Sequence, residues 1–231
     1  AKAMETENTP DYLGHRARLR ERFLKGGGKD MADYELIELL LTYVIPRRDV
    51  KPIAKELIRR FGSLAEVVNA DVSRLTEVSG IKENAAVMFK LIQQAAGRFS
   101  WQNLSSSDAP IISNWDAMID YCRSEMAYLD VEEFRIIFLD TKFRLIGQEV
   151  MQRGTINQVA IHPREVIKLA MEKKAAALIL VHNHPSGDVK PSRADVEITK
   201  QIDQALKSIN IQLLDHIVIS RYDYCSIKTM L

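Results

Sequence analysis

The chain has 231 residues, of which 46% are hydrophobic and 27% are charged, and its formal net charge is +1. This length suffices for one large domain or two small ones, and the balanced charge excludes an acidic or basic excess that would by itself dictate a partner. Every apolar run is shorter than the roughly 18 residues of a membrane span, and the polar N-terminal stretch lacks a signal-peptide pattern. With two cysteines at no metal-like spacing, we expect a reduced, cytoplasmic protein without a membrane association.

The first hundred residues carry the spacing of amphipathic helices. "DYELIELLLTYV" places apolar residues three and four apart, and "VKPIAKELIRRFG" repeats this pattern before it ends at Gly62. The pattern continues through "SLAEVVNA" and "NAAVMFKLIQQAAGRF", and no convincing strand precedes residue 110. We therefore predict a helical domain over residues 1–100.

The sequence pattern changes after this region. "WQNLSSSDAPIIS" is rich in serine and contains aspartate and proline, which predicts a linker at residues 101–110. Beyond it, "FRIIFLD", "RLIGQEVM", "INQVAI", "AAALILVH" and "IQLLDHIVIS" are typical of strands. "PREVIKLAMEKK" and "SRADVEITKQIDQALKSIN" are typical of helices. The chain is thus predicted to be α+β, with an α/β domain around a central sheet at residues 111–231.

The stretch "HNHPSGDVKPSRAD" combines metal-ligating residue types with a turn. His182 ends a predicted strand and His184 follows, so both imidazoles can point to one side, and Ser192 and Asp195 open the next helix. Two histidines and a carboxylate are three of the four ligands of a catalytic zinc, with water as the fourth. The structural alternative is a helix-capping box made by Ser192-x-x-Asp195 after an ordinary turn. For His216, on an apolar strand, we expect a packed, hydrogen-bonded role.

These residues resemble a known signature. His182, His184, Ser192 and Asp195 match the JAMM (MPN-plus) metalloprotease motif, and "FLDTKFRLIGQEV", "RGTINQVAIHPREVIKLAMEKKAAALILVHNHPSG" and "LDHIVIS" make residues 110–231 similar to the RadC branch of that superfamily. The resemblance implies a cytidine-deaminase-like/JAMM α/β domain with a central mixed sheet. It also implies one Zn²⁺ per chain, held by His182, His184 and Asp195, with Ser192 hydrogen-bonded to the metal water or the developing oxyanion.

The resemblance further implies an upstream glutamate as general base. Relatives place it just before the first core strand, which favours Glu133 in "EEFRIIFLD" and makes Glu149 the second candidate. Glu132 would point to the opposite face of an extended strand, and a register change of one residue exchanges the two. Glu165, at a helix start, suits stabilisation of the helix dipole. Asn183 stands where peptidase members usually have Ser or Thr, a difference typical of the RadC branch.

The N-terminal region carries a second resemblance. "LTEVSGIKENAAVMFKL" is similar to a helix-hairpin-helix DNA-binding motif, in which Gly80 permits a tight turn whose backbone N–H groups meet a phosphate. Lys82 replaces the usual second glycine and supplies a cation. "GHRARLRERFLK" adds Arg16, Arg18 and Arg20, for which a solvated helix face is the alternative. Without interleaved aromatics, we expect contacts to the DNA backbone that are not sequence-specific.

The whole N-terminal region also resembles the helical domain that precedes the RadC catalytic domain. We therefore predict a zinc-dependent hydrolase of the RadC/JAMM type in a DNA-associated process, with metal-activated water as the nucleophile. The substrate stays open between a nucleic acid and a protein or peptide, because JAMM relatives cleave peptide and isopeptide bonds. The alternative is a non-catalytic DNA-binding adaptor of DNA repair or recombination with a structural metal, against which the intact set of Glu, His, His, Ser and Asp argues.

Overall fold

The computed structural model describes residues 11–154 and 161–231, which fall into two compact units divided between Gln94 and Ala95. Most of the predicted "INQVAI" strand lies outside the described residues. No helix among those described is long and apolar enough to cross a membrane.

The first unit is helical, as its periodicity predicts. Gly62, at a φ of +102°, ends the third helix, and the Ser63 side chain accepts a hydrogen bond from the Glu66 N–H at the start of the fourth. The apolar stripes of the second to sixth helices meet in one core that includes the fully buried Leu57 and Phe89. The helices are α1 (Asp11–Gly26), α2 (Asp33–Val44), α3 (Lys51–Phe61), α4 (Leu64–Asn69), α5 (Val72–Thr76) and the first part of α6 (Glu83–Ser105).

The predicted linker is partly helical. Helix α6 continues to Ser105, because Trp101 and Leu104 extend its apolar face and pack into the core of the second unit. The non-helical connection is therefore shorter than the predicted linker region: it begins after Ser105 and ends where a 3₁₀ turn, Ile111–Asn114, begins. Helix α7 (Trp115–Met126) follows this turn and has no counterpart among the predicted elements.

The second unit is built on a five-stranded mixed sheet, which confirms the predicted α+β class. Its strands β1 (Glu132–Leu139), β2 (Leu145–Gly154), β3 (Ala177–Asn183), β4 (Gln212–Ile219) and β5 (Tyr224–Ser226) lie in the order β2-β1-β3-β4-β5. Only the β3–β4 pair is parallel among the described strands. All residues of the central strand β3 are buried, as its continuous apolar run predicts.

Helices cover both faces of this sheet, and strand alternation decides which side chain meets which layer. Phe134, Ile136 and Phe138 pack towards α8 (Pro163–Glu172) and α9 (Arg193–Lys207). Ile137 and Leu139, the intervening residues, pack towards α7. The same alternation separates the two glutamates at the start of β1, because they point to opposite faces.

Candidate metal centre

The two histidines and the aspartate converge on the α9 face of the sheet. His182 lies in β3, His184 follows the strand, and Asp195 lies in the first turn of α9. The His182 and His184 Nε2 atoms are 3.1 Å apart. Asp195 Oδ1 lies 3.5 Å from His182 Nε2, and its Oδ2 lies 3.8 Å from His184 Nε2. The strand end and the helix start thus bring the three predicted ligands together.

The spacing of these atoms fits a tetrahedral zinc ion. Zinc binds nitrogen and carboxylate oxygen at about 2.0–2.2 Å, so neighbouring ligand atoms at tetrahedral angles lie roughly 3.3–3.5 Å apart. The three observed separations lie around this value, and all three ligand atoms are within 4.8 Å of one another. Three protein ligands also leave the fourth position that a catalytic site requires.

A chain of hydrogen bonds fixes how His182 presents its ring. The Thr199 hydroxyl donates to the Asp195 carbonyl at 2.5 Å, so its oxygen is left to accept from His216 Nδ1 at 2.6 Å. His216 Nε2 then accepts from His182 Nδ1 at 2.8 Å. Burial lowers the pKa of both His182 and His216, which keeps both rings neutral near pH 7. His182 therefore offers the Nε2 lone pair to the centre, and His216 has the packed, hydrogen-bonded role predicted for it.

His184 is oriented by a separate bond. Its Nδ1 lies 2.6 Å from the backbone carbonyl of Asp188, in the turn that follows. Because a carbonyl can only accept, the ring proton is on Nδ1 and the Nε2 lone pair points to the centre. The two candidate ligand histidines thus have the same tautomer, each imposed by a different element.

Ser192 and Asp195 form the capping box that was the structural alternative. The Ser192 hydroxyl accepts from the Asp195 N–H at 3.1 Å, and the Ser192 N–H donates to Asp195 Oδ2 at 2.7 Å. This exchange starts α9 and holds the Asp195 carboxylate in place, so capping supports the metal site rather than competing with it. Ser192 also lines the cleft in front of the ligands.

The structure does not bring the Glu133 carboxylate to the candidate ligands, and its geometry favours Glu132 over the predicted Glu133 as the candidate general base. Glu133 borders the cleft, but its buried carboxylate pairs with Arg135 at 2.6 Å and Arg153 at 2.5 Å. Strand β1 is already extended here, and Phe134 lies opposite His182 in the β1–β3 ladder. Alternation therefore puts Glu133 on the α7 face and Glu132 on the ligand face.

Glu132 is the glutamate on the side of the ligands. It lines the same cleft, and burial raises the pKa of its carboxyl, with weaker influences from His184, which lowers it, and Asp195, which raises it. Glu149 instead pairs with Lys173 at 3.3 Å. Glu165 is exposed in the first turn of α8, where it suits the helix dipole.

The cleft in front of the ligands has a volume of about 470 Å³. Its apolar wall includes Phe134, Ile161 and Ile198, and its acidic side chains include Glu132 and Asp195. Among the described residues that line it, none is lysine or arginine. The electrostatic character of the cleft therefore comes from carboxylates and imidazoles.

In the first unit, Gly80 occupies the turn between α5 and α6 at a φ of +95°. The positive φ favours glycine, and a Cβ there would lie 2.6 Å from Ile53 Cδ1, so the end of the Ile53 side chain would have to shift. Lys82 is exposed just before α6. Arg48 Nη1 lies 3.3 Å from the same Cβ position, a neighbour that no local pattern in the sequence indicates.

The three predicted arginines of α1 differ in their surroundings. Arg18 and Arg20 are exposed. The Arg16 guanidinium donates to the backbone carbonyl of Ile45 at 3.0 Å and to that of Arg48. Arg16 therefore holds the loop after α2 against α1, which is a structural use of its charge.

Two sequence-family models match the chain. The model described as "UPF0758 N-terminal" matches residues 12–87, within the helical unit. The model described as "RadC-like JAB domain" matches residues 112–230, which contain the sheet, the three candidate ligands and the cleft. Because this second match covers more than half of the chain, the protein belongs to the RadC family and carries a RadC-like JAB domain.

Proposed function

We propose that the RadC-like domain is a zinc-dependent hydrolase that cleaves an amide bond in a protein or peptide. The observation that carries this proposal is the convergence of His182, His184 and Asp195 in a cleft that Glu132 also lines. Two histidines, a carboxylate and one open position are the donor set of catalytic zinc sites. A structural zinc needs no adjacent glutamate, so the arrangement favours an enzyme over an adaptor.

The zinc site, Glu132 and Ser192 have separate roles in the proposed reaction. When bound, zinc lowers the pKa of a coordinated water and polarises the substrate carbonyl. Glu132 accepts a proton as general base and returns it to the leaving amine. Its partly buried position suits the first step, because burial raises the pKa of this carboxyl and so makes it a stronger base. Ser192 lines the cleft as a hydroxyl donor for the developing oxyanion.

The charges of the cleft favour an amide over a phosphodiester. A phosphodiester is anionic, and its transition state gathers more charge, which enzymes stabilise with arginine, lysine or several metal ions. The described lining holds no such side chain, and with Asp195 bound to a single zinc ion the Glu132 carboxylate offsets the remaining positive charge that a phosphate would need. A neutral amide flanked by apolar side chains can instead pack against Phe134 and Ile198.

This function is tested with the full-length, zinc-loaded protein on a peptide library and on single-stranded and branched DNA in parallel. We expect zinc-dependent peptide cleavage that is lost in both Glu132→Gln and His184→Ala, and intact DNA throughout. DNA cleavage that Glu132→Gln abolishes would show that the substrate class is wrong. DNA binding with no cleavage of any substrate would favour the adaptor.

We also propose that the helical unit contacts the DNA backbone at the Gly80 turn. Arg48 and Lys82 are exposed, and the Arg48 guanidinium lies beside this turn. Two cations next to the backbone amides of a tight turn form a phosphate-binding surface without base-specific groups.

Binding of the full chain to a DNA duplex should weaken steeply with salt. Replacing Lys82 or Arg48 by alanine should reduce the slope of log affinity against log salt by about one for each phosphate that the variant no longer neutralises. The matched control is Arg59→Ala, which removes an exposed arginine that pairs with Glu56. Equal slopes in all four proteins would rule out this surface.

A further inference from the structure

The inference concerns Asn183, the residue between the two histidine ligands. Backbone pairing between β1 and β3 runs from Leu139 opposite Ala177 to Phe134 opposite His182, and it stops there. At the next position the Asn183 side chain, in place of the backbone, makes the hydrogen bonds at the start of β1. Its Oδ1 accepts from the Glu133 N–H at 2.7 Å, and its Nδ2 donates to the Val131 carbonyl at 3.1 Å.

These two bonds enclose Glu132. The Val131 carbonyl belongs to the peptide unit before Glu132, and the Glu133 N–H belongs to the peptide unit after it. One side chain thus fixes both peptide units that set the direction of the Glu132 side chain. Asn183 is fully buried, and its bond to the Glu133 N–H is buried with it, so water competes little for that bond.

We propose that Asn183 is a positioning residue that holds Glu132 in line with the metal ligands. The proposal rests on the function proposed for Glu132. Asn183 is suited to this because a carboxamide carries an acceptor and a donor on one rigid plane. The two backbone partners also define its orientation, since an N–H can only donate and a carbonyl can only accept.

The positions of the candidate zinc ligands depend less on these two Asn183 hydrogen bonds. Strand β3 is held from its other side by β4, with His182 opposite Val218 and Asn183 opposite Ile219. The His184 N–H also donates to the Ile219 carbonyl at 2.9 Å. Loss of the Asn183 amide should therefore release Glu132 while leaving the zinc ligands in place.

The test combines Asn183→Ala with Glu132→Gln in the full-length protein. If Asn183 acts through Glu132, Asn183→Ala lowers kcat by about 10- to 100-fold, the scale of misplacing a catalytic group by roughly 1 Å. KM and zinc stoichiometry should stay unchanged. In the Glu132→Gln background, Asn183→Ala should have no further effect, because the group that it positions is already disabled.

A second measurement does not depend on activity. Amide hydrogen exchange at Glu133 should accelerate at least about tenfold in Asn183→Ala, because this N–H loses its acceptor. Asn114→Ala is the matched control, since Asn114 Nδ2 also makes a part-buried bond, to Ser107 Oγ, away from the cleft. Asn183→Asp serves if the alanine variant does not fold. When ionised, it keeps an acceptor for Glu133 but cannot donate to Val131, so at a pH at which this aspartate is ionised its kcat should fall with exchange at Glu133 little changed.

The outcomes separate this inference from the proposed function. If Glu132→Gln is inactive while Asn183→Ala is fully active or equally harmful in both backgrounds, the positioning role is wrong and the function stands. Unchanged exchange at Glu133 in Asn183→Ala, or loss of zinc from it, also overturns the positioning role. If Glu132→Gln keeps full activity, the role of Glu132 fails, and the catalytic part of this inference fails with it.

Discussion

Replacing each of the two adjacent glutamates by glutamine should affect different properties: Glu132→Gln should lower turnover, and Glu133→Gln should lower stability. In Glu132→Gln, turnover should fall by about 10²- to 10⁴-fold, the contribution of a positioned acid–base group. That loss corresponds to about 3–5 kcal/mol of transition-state stabilisation. Stability and zinc content should remain those of the unmodified protein, because Glu132 is only partly buried and its cleft is open.

Glu133→Gln should instead weaken the fold. Removing one partner of a buried ion pair costs about 3–5 kcal/mol. Here the cost should fall somewhat below that range, because Arg153 is largely exposed and Arg135 keeps Glu125 at 3.5 Å. We therefore expect the free energy of unfolding to drop by about 2–3 kcal/mol, with glutamine retaining one of the two acceptor oxygens.

Urea unfolding monitored by tryptophan fluorescence measures this loss in the relevant unit, because both tryptophans, Trp101 and Trp115, lie in residues 95–231. An unchanged m-value would confirm that the midpoint reports stability. Turnover is measured at low temperature, where Glu133→Gln remains folded. A stable Glu133→Gln protein that is inactive with its zinc retained, beside an active Glu132→Gln, would refute the assignment of faces in β1.

Three further outcomes follow from the geometry. His184→Ala should reduce bound zinc from about one ion per chain to near zero by elemental analysis, and full occupancy would contradict the ligand set. His216→Phe should lower zinc affinity about 10- to 100-fold in a chelator competition, because His182 loses the acceptor that fixes its tautomer; unchanged affinity would show that the tautomer is set otherwise. Burial raises the pKa of the Cys122 thiol to about 12, so at pH 8 a thiol reagent should modify the half-buried Cys225 first and Cys122 only on unfolding. Equal rates for both thiols in the folded protein would be inconsistent with that burial.

Much of the fold could be predicted because its signals are local. The 3.6-residue spacing of "DYELIELLLTYV" coincides with α2, and the apolar run "AAALILVH" forms the buried strand β3. Helix α7 was not predicted. Its sequence, "WDAMIDYCRSEM", is apolar on the face that meets the sheet, but no strong N-terminal cap marks where the helix begins. The end of α6 escaped prediction for another reason: serines in the following turn suggested a linker, whereas burial of Leu104 extends the helix.

The convergence of the three candidate ligands could be predicted from the sequence, whereas the residues that orient them could not, for a physical reason. His182, His184 and Asp195 lie close together in the chain, around a single turn, so their types and spacing predict their convergence. His216 and Thr199, which orient His182, come from β4 and α9 and meet only in the folded sheet. No spacing in the sequence reveals such contacts.

The choice between Glu132 and Glu133 as the candidate general base shows how a difference of one residue escapes prediction. "EEF" offers two carboxylates one residue apart, and a strand sends neighbours to opposite faces, so composition cannot choose between them. The choice depends on the register that puts Phe134 opposite His182, and on Arg135 and Arg153, which draw Glu133 into an ion-pair cluster on the other face. One arginine from β1 and one from β2 thus secure this glutamate as structure. They leave its neighbour Glu132, whose two flanking peptide units bond to the Asn183 side chain, on the face of the candidate ligands.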